Sequence, residues 1–117
     1  MNTMHPVRIG GTEIGRGRFA LIAGPCVLES LELGLAVATE TARICAELGI
    51  PYIFKASFDK ANRTSLRSYR GPGLARGLEE LAEIRERAGV PVLTDIHETW
   101  QAERVAQVAD ILQIPAF

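Results

Sequence analysis

Lys55, Lys60 and Arg63 stand close together in a run from Phe54 to Ser65 that also holds Ser57, Asn62, Thr64 and Ser65 but only one carboxylate, Asp59. Such a set suits an anionic ligand. Ammonium groups neutralise phosphate or carboxylate as point charges, a guanidinium grips two oxygens at once, and the hydroxyls and backbone N–H groups of Thr64 and Ser65 add donors in the same turn. Widening the window to Pro72 adds Arg67 and Arg70. The segment then carries five Lys/Arg against one Asp, leaving eight against thirteen acidic residues elsewhere in a chain of net charge −1. A nearly neutral chain that concentrates its cations in one loop sets up a local field for phosphates or carboxylates. The competing reading is a solvated basic loop. Lys55 weighs against it, because a lysine that closes an apolar strand rarely lacks a partner.

Asp95, His97 and Glu98 form a second polar group. Asp95 points out of a strand end and could accept hydrogen bonds from sugar hydroxyls, whereas Glu98 reads as the start of a helix, favoured there by the helix dipole. His97 is ambiguous, and is read as a structural loop residue or a support for a neighbouring site residue. Cys26, after Gly24-Pro25, is open to three readings: a buried small hydrophobe, which residue type alone favours, a nucleophile, or a metal ligand. Cys45 reads as helix packing, and His5 is uninformative. Neither GxGxxG nor GxxxxGK[ST] nor a His-Glu-x-x-His metal motif occurs. Gly71-Pro72-Gly73 reads as the return of the basic loop, exposing a helix N-terminus that could reinforce an anion site.

The elements that must position these residues alternate. Phe19–Ala23, Tyr52–Lys55, Val90–Thr94 and Ile111–Ile114 read as strands. Between them lie a helix from Ser30 to Gly49 with an expected inner face of Leu33, Val37, Thr41, Ile44 and Leu48, and a second with Leu74, Leu78, Leu81 and Ile84 ending at Gly89. A third, from Glu98 to Val108, has Trp100, Val105 and Val108 available for packing. The order is β-α-β-α-β-α-β. Gly49-Ile50-Pro51 and Gly89-Val90-Pro91 each precede a strand, an offset of 40 residues that fits one repeating unit of a parallel sheet. Lys55, Asp95, Gln113 and the Gly24-Pro25-Cys26 turn all fall at strand ends, where a (β/α)8 barrel gathers its site. The expected fold is the N-terminal half of such a barrel, since whole ones take about 250 residues and the chain stops after its fourth strand. Val7–Ile14, with Gly10-Gly11 at its centre, reads as a β-hairpin outside the barrel proper. Residues 1–117 are thus expected to be a single incomplete barrel domain, with 1–18 as the hairpin extension.

At 117 residues and 47% hydrophobic content the chain is one domain with an ordinary core. Its net charge and few aromatics argue against nucleic acid. No apolar run approaches membrane-spanning length and no signal-type apolar stretch opens the chain, so a cytoplasmic protein with reduced cysteines is expected.

These residues together resemble the 3-deoxy-D-manno-octulosonate 8-phosphate (KDO-8-phosphate) synthase family over nearly the whole chain. Leu21 through Ser30 is similar to the family's first-strand motif, Phe54 through Ser65 to its Lys-Ala-Asn-Arg-Ser signature, Arg70-Gly71-Pro72-Gly73-Leu74 to the turn that follows, and Asp110 through Phe117 to its fourth strand. The related 3-deoxy-D-arabino-heptulosonate 7-phosphate synthases typically read Lys-Pro-Arg-Thr-Ser where this chain has Lys60-Ala61-Asn62-Arg63-Thr64-Ser65. Asn62 after Ala61 favours the octulosonate enzyme.

The resemblance implies condensation of phosphoenolpyruvate with arabinose 5-phosphate, releasing phosphate by C–O cleavage, a transferase step of lipopolysaccharide biosynthesis. It implies contacts to phosphoenolpyruvate from Lys55, Lys60, Gln113 and Ala116, with Lys60, Asn62 and Asp95 the catalytic set. Asn62 and Asp95 would orient the sugar hydroxyls and aldehyde, and Arg63 with Thr64 would bind the sugar phosphate across a subunit boundary. Thr64 stands where the family often has serine. Phe117 would belong to a neighbouring subunit's sugar site in a homo-oligomer, tetrameric in full-length members. Family members with cysteine at the position of Cys26 use a divalent metal and those with asparagine do not, so Cys26 is the expected metal ligand; the remaining His, Glu and Asp ligands belong to later strands. The isolated 117 residues are therefore expected to be inactive. Two alternatives stand beside this reading: heptulosonate synthesis with erythrose 4-phosphate, and a non-catalytic anion-binding or oligomerising module.

Overall fold

The computed structural model describes residues 5–60, 67 and 69–116. The first two elements, β1 (Val7–Ile9) and β2 (Thr12–Ile14), pair antiparallel around a turn at Gly10 and Gly11. Then follow β3 (Leu21–Ala23), α1 (Leu31–Leu48), β4 (Tyr52–Lys55), α2 (Leu74–Ala88), β5 (Val92–Asp95), α3 (Gln101–Ala106) and β6 (Ile111–Gln113). β3, β4, β5 and β6 form one parallel sheet in that order. A doubly wound sheet reverses its strand order at a switch point. Here each strand is added at the same edge, which is the winding of the N-terminal part of a (β/α)8 barrel.

Period-two alternation divides the strands into two faces. Tyr52, Phe54, Val92 and Leu112 face the helices and build the main core with Leu81, Ile84 and Val105. The opposite face is apolar in the first half of each strand, where Ile53 and Leu93 pack with Ile111 and with Ile9 and Ile14 of the hairpin. The hairpin stays outside the parallel sheet but covers this inner face at its amino-terminal end. The carboxyl-terminal end of the same face is left to polar residues.

Local sequence sets the helix limits. Ser30 caps α1 by accepting a hydrogen bond from the Leu33 N–H at 3.0 Å, and left-handed glycines at 49 and 89 end α1 and α2. The packed face of α1 differs from the expected one. Gly34, Ala38 and Cys45 are buried, with Leu31, Leu35, Val37 and Ala42 packed against the core, while Leu33, Ile44 and Leu48 are exposed. Small residues win because α1 lies close to α2: a Cβ on Gly34 would sit 2.8 Å from the Ile84 side chain. Of two apolar stripes on the helix, the one with the smaller side chains admits the closer approach.

α2 follows the expected pattern, with Leu78, Leu81 and Ile84 buried. α3 is shorter than expected. It begins at Gln101 rather than Glu98, because the Gln101 side-chain oxygen turns back to accept from the N–H groups of His97 and Glu98 at 2.8 and 3.2 Å. That turn carries Trp100 outward, 65% exposed, so Trp100 does not pack as expected, whereas Val105 is fully buried. Phe19 and Ile114 likewise lie beyond their strands and are exposed.

Candidate functional site

Lys55, Asp95 and Gln113 are the last residues of β4, β5 and β6. Register places all three on the inner face: Lys55 pairs with Leu93, Leu93 with Ile111, and Asp95 with Gln113. Partners across a parallel pair share a face. A cation, a carboxylate and an amide therefore converge at one end of the sheet, on the side away from the helices.

The layer continues past the strand ends. Ser57, two residues beyond Lys55 and on the same face, forms a parallel bridge with Val27. Its N–H donates to the Cys26 carbonyl at 3.1 Å and its carbonyl accepts from Leu28 N–H at 3.0 Å. Its hydroxyl donates to Asp95 Oδ1 at 2.5 Å. The top layer thus runs Val27, Ser57, Asp95, Gln113, with Cys26 one residue away. Sequence reading gave Ser57 no role; extending the period of two past Lys55 would have found it. Gly24 makes the close approach of the first turn possible, since a Cβ there would lie 1.9 Å from the Lys55 carbonyl oxygen.

Asp95 is also held from its other side. His97 Nε2 lies 3.0 Å from Asp95 Oδ2, and the imidazole stands edge-on to Phe58, ring centroids 5.9 Å apart. Phe58 is almost wholly buried. His97 is therefore a support for a neighbour, one of its two expected readings. Glu98 does not begin the helix but precedes it in an exposed bend.

The two ends of the basic loop are tied together. Lys60 N–H donates to the Arg70 carbonyl at 2.6 Å, and the Arg70 guanidinium holds Asp59 through two hydrogen bonds of 2.6 and 3.2 Å. The hydrogen bond to Asp59, and then its charge, push the Arg70 guanidinium above its ordinary range. One of the five cations is thus paired with the segment's own carboxylate. α2 opens just beyond, at Gly73, without a side-chain cap, and the Gly73 N–H donates to the Phe58 carbonyl at 3.0 Å. Asn62, Arg63, Thr64, Ser65 and Phe117 lie outside the described residues. Ala116 is exposed just beyond β6.

Cys26 is an exposed free thiol, not the buried small residue that its type alone favoured; Cys45 is buried as expected. A thiolate is a suitable donor for a transition metal. One donor does not make a site, and among the described residues no group of three or more His, Cys, Asp and Glu could hold a metal ion. The described residues therefore do not fit a complete metal centre. Also among them, no helix is long and apolar enough to cross a membrane.

Comparison with known proteins bears on this arrangement. A model of the DAHP synthetase I family matches residues 4–117. The chain is 58% identical over its whole length to the 2-dehydro-3-deoxyphosphooctonate aldolase of Fusobacterium nucleatum, covering 42% of that protein. It is 55% identical over 98% of its length to the protein of that name from Azotobacter vinelandii, covering 41% of it. A third, from a Cyanothece species, is 59% identical over 89% of the chain and is covered for 38% of its length. The chain spans about two fifths of the length of the curated relatives it matches.

Proposed function

Because the chain belongs to the DAHP synthetase I family, we propose that it carries the first part of the substrate site of an enzyme condensing phosphoenolpyruvate with D-arabinose 5-phosphate. The products are 3-deoxy-D-manno-octulosonate 8-phosphate and inorganic phosphate. The observation that carries this reading is the convergence of Lys55, Asp95 and Gln113 on the inner face at the carboxyl ends of three adjacent strands, where barrels of this kind place their chemistry. The names of the relatives support the choice of sugar.

In this reaction C3 of the enolpyruvate attacks the sugar aldehyde, water adds at C2, and the C–O bond to phosphate breaks. Lys55 and Lys60 hold the carboxylate and phosphate of phosphoenolpyruvate, with Gln113 and Ala116 against the same substrate. Fixed cations keep the three-carbon unit oriented and offset the charge that leaves with phosphate. Asp95, a bound acceptor, aligns the sugar hydroxyls and aldehyde. Asn62, Arg63 and Thr64 take the sugar and its phosphate, and Phe117 reaches a neighbouring subunit's sugar site in a homo-oligomer. Cys26 would serve as one donor to a divalent metal, which would supply Lewis-acid chemistry toward the aldehyde; the described residues alone do not complete such a site. Phosphorylated substrates of this kind support a cytoplasmic location.

The family description favours one competing substrate, the four-carbon sugar phosphate of heptulosonate synthesis. Extending the chain to the length of its relatives and assaying phosphate release with arabinose 5-phosphate and with erythrose 4-phosphate separates the two. Turnover with the five-carbon sugar is expected; turnover with erythrose 4-phosphate alone overturns the assignment. In the same protein Cys26→Asn should abolish metal dependence or activity. Unchanged turnover of the parent in strong chelator would remove the metal.

A further inference from the structure

The Asp95 carboxylate is divided between two donors on different elements. Ser57, following β4, takes Oδ1 at 2.5 Å, and His97, following β5, takes Oδ2 at 3.0 Å. Each donor is itself fixed. Ser57 is buried and its backbone is clamped by the Val27 bridge, with one hydrogen bond to Cys26 and one from Leu28. The His97 backbone is held by the buried Gln101 side chain, and its ring leans on Phe58. Neither hydrogen bond is needed to close the sheet, whose strands pair through backbone alone. Their shared effect is to fix the plane of one carboxylate that register puts on the inner face. His97 Nδ1 is buried and has no hydrogen-bond partner among the described residues, so the ring's one evident polar task is at Nε2.

We propose that Ser57 and His97 are positioning residues that clamp Asp95, one on each oxygen, so that it meets the sugar phosphate as a pre-aimed hydrogen-bond acceptor, and that His97 does so through Nε2–H. The inference rests on the proposed function only for the identity of the ligand. The clamp is a property of this chain. A carboxylate free to rotate between strand ends would have to be ordered when substrate binds, and the two donors remove that step in advance.

Two measurements test it. In the extended protein, Ser57→Ala and His97→Ala should each lower kcat/KM for the sugar phosphate by about 10- to 100-fold while leaving KM for phosphoenolpyruvate unchanged. His97→Asn, which keeps an N–H donor, should recover part of the loss. On an Asp95→Asn background neither change should lower the rate further, because both act through that carboxylate. Losses that multiply in the double variants would overturn the clamp. The second measurement needs no variant and no turnover. Nitrogen-15 NMR of the imidazole in the 117-residue chain should show a proton on His97 Nε2, and an Nε2 without its proton would contradict the proposal. A wild-type extended protein with no turnover of either sugar phosphate would count against the proposed function, while the NMR result would still decide the clamp.

Discussion

At the scale of single residues, Asp95 is the side chain at the polar end of the sheet that Ser57 and His97 tie firmly. Tyr52 faces the helices instead, its hydroxyl donating to the Ala23 carbonyl at 2.9 Å across the β3–β4 pair. Burial pushes its phenol above the ordinary range; a hydrogen bond with Thr41 opposes this and the nearby Cys45 adds to it. The folded state therefore holds that proton more tightly than the unfolded chain does. The resulting stabilisation is fully present below the unfolded value of about 10 and disappears as pH rises through the raised folded value. Denaturant titrations above pH 9 should show stability falling in the wild type and a flatter profile in Tyr52→Phe, which itself costs about 1 kcal/mol for the lost hydrogen bond. Equal slopes for the two proteins would refute the burial of that phenol. Gly24→Ala is the sharper change, because its methyl would meet the Lys55 carbonyl oxygen at 1.9 Å. It should lower the thermal midpoint and weaken phosphoenolpyruvate binding together, as calorimetry would read.

Among the elements, α1 shows best what was legible. Its limits were written plainly in Ser30 and Gly49, because caps are local chemistry. Ser30→Ala should accordingly cost about 1 kcal/mol in unfolding free energy. Which side of α1 faces inward was not legible, since Leu33, Ile44 and Leu48 are as apolar as a core stripe requires, and only the distance to Ile84 selects the side bearing Gly34 and Ala38. Leu48→Gln should change stability by less than about 0.5 kcal/mol, whereas Ala38→Leu should cost about 1–3 kcal/mol by overpacking; the opposite ranking in chemical denaturation would put the stripe back where sequence alone suggested. Lys55, Asp95 and Gln113 were readable because strand ends can be found from apolar runs. The period of two places Ser57 on their face, and support of a neighbour was one reading of His97, but that both hold Asp95 was not legible, because it depends on register between β4 and β5 and on the turn that Gln101 folds back.

Over the whole molecule, large apolar side chains are exposed on both faces of the sheet. Phe19 and Ile22 at the β3 side and Leu33, Ile44 and Leu48 on α1 are all exposed, and among the described strands β3 and β6 each pair on one side only. Unpaired edges beside apolar side chains invite association. Sedimentation of the 117-residue chain should show concentration-dependent self-association that Ile22→Lys reduces; a monomer at all concentrations would contradict association through the exposed β3 edge. A sheet wound in one direction sets its carboxyl ends around one place, and that place holds Lys55, Asp95 and Gln113. The most direct test of that assignment is phosphate release from phosphoenolpyruvate and arabinose 5-phosphate by the chain extended to the length of its relatives, compared with its Lys55→Ala and Asp95→Asn variants. The account predicts turnover by the parent and a loss of at least about 100-fold in each variant. Variants that match the parent would place the chemistry somewhere other than this end of the sheet.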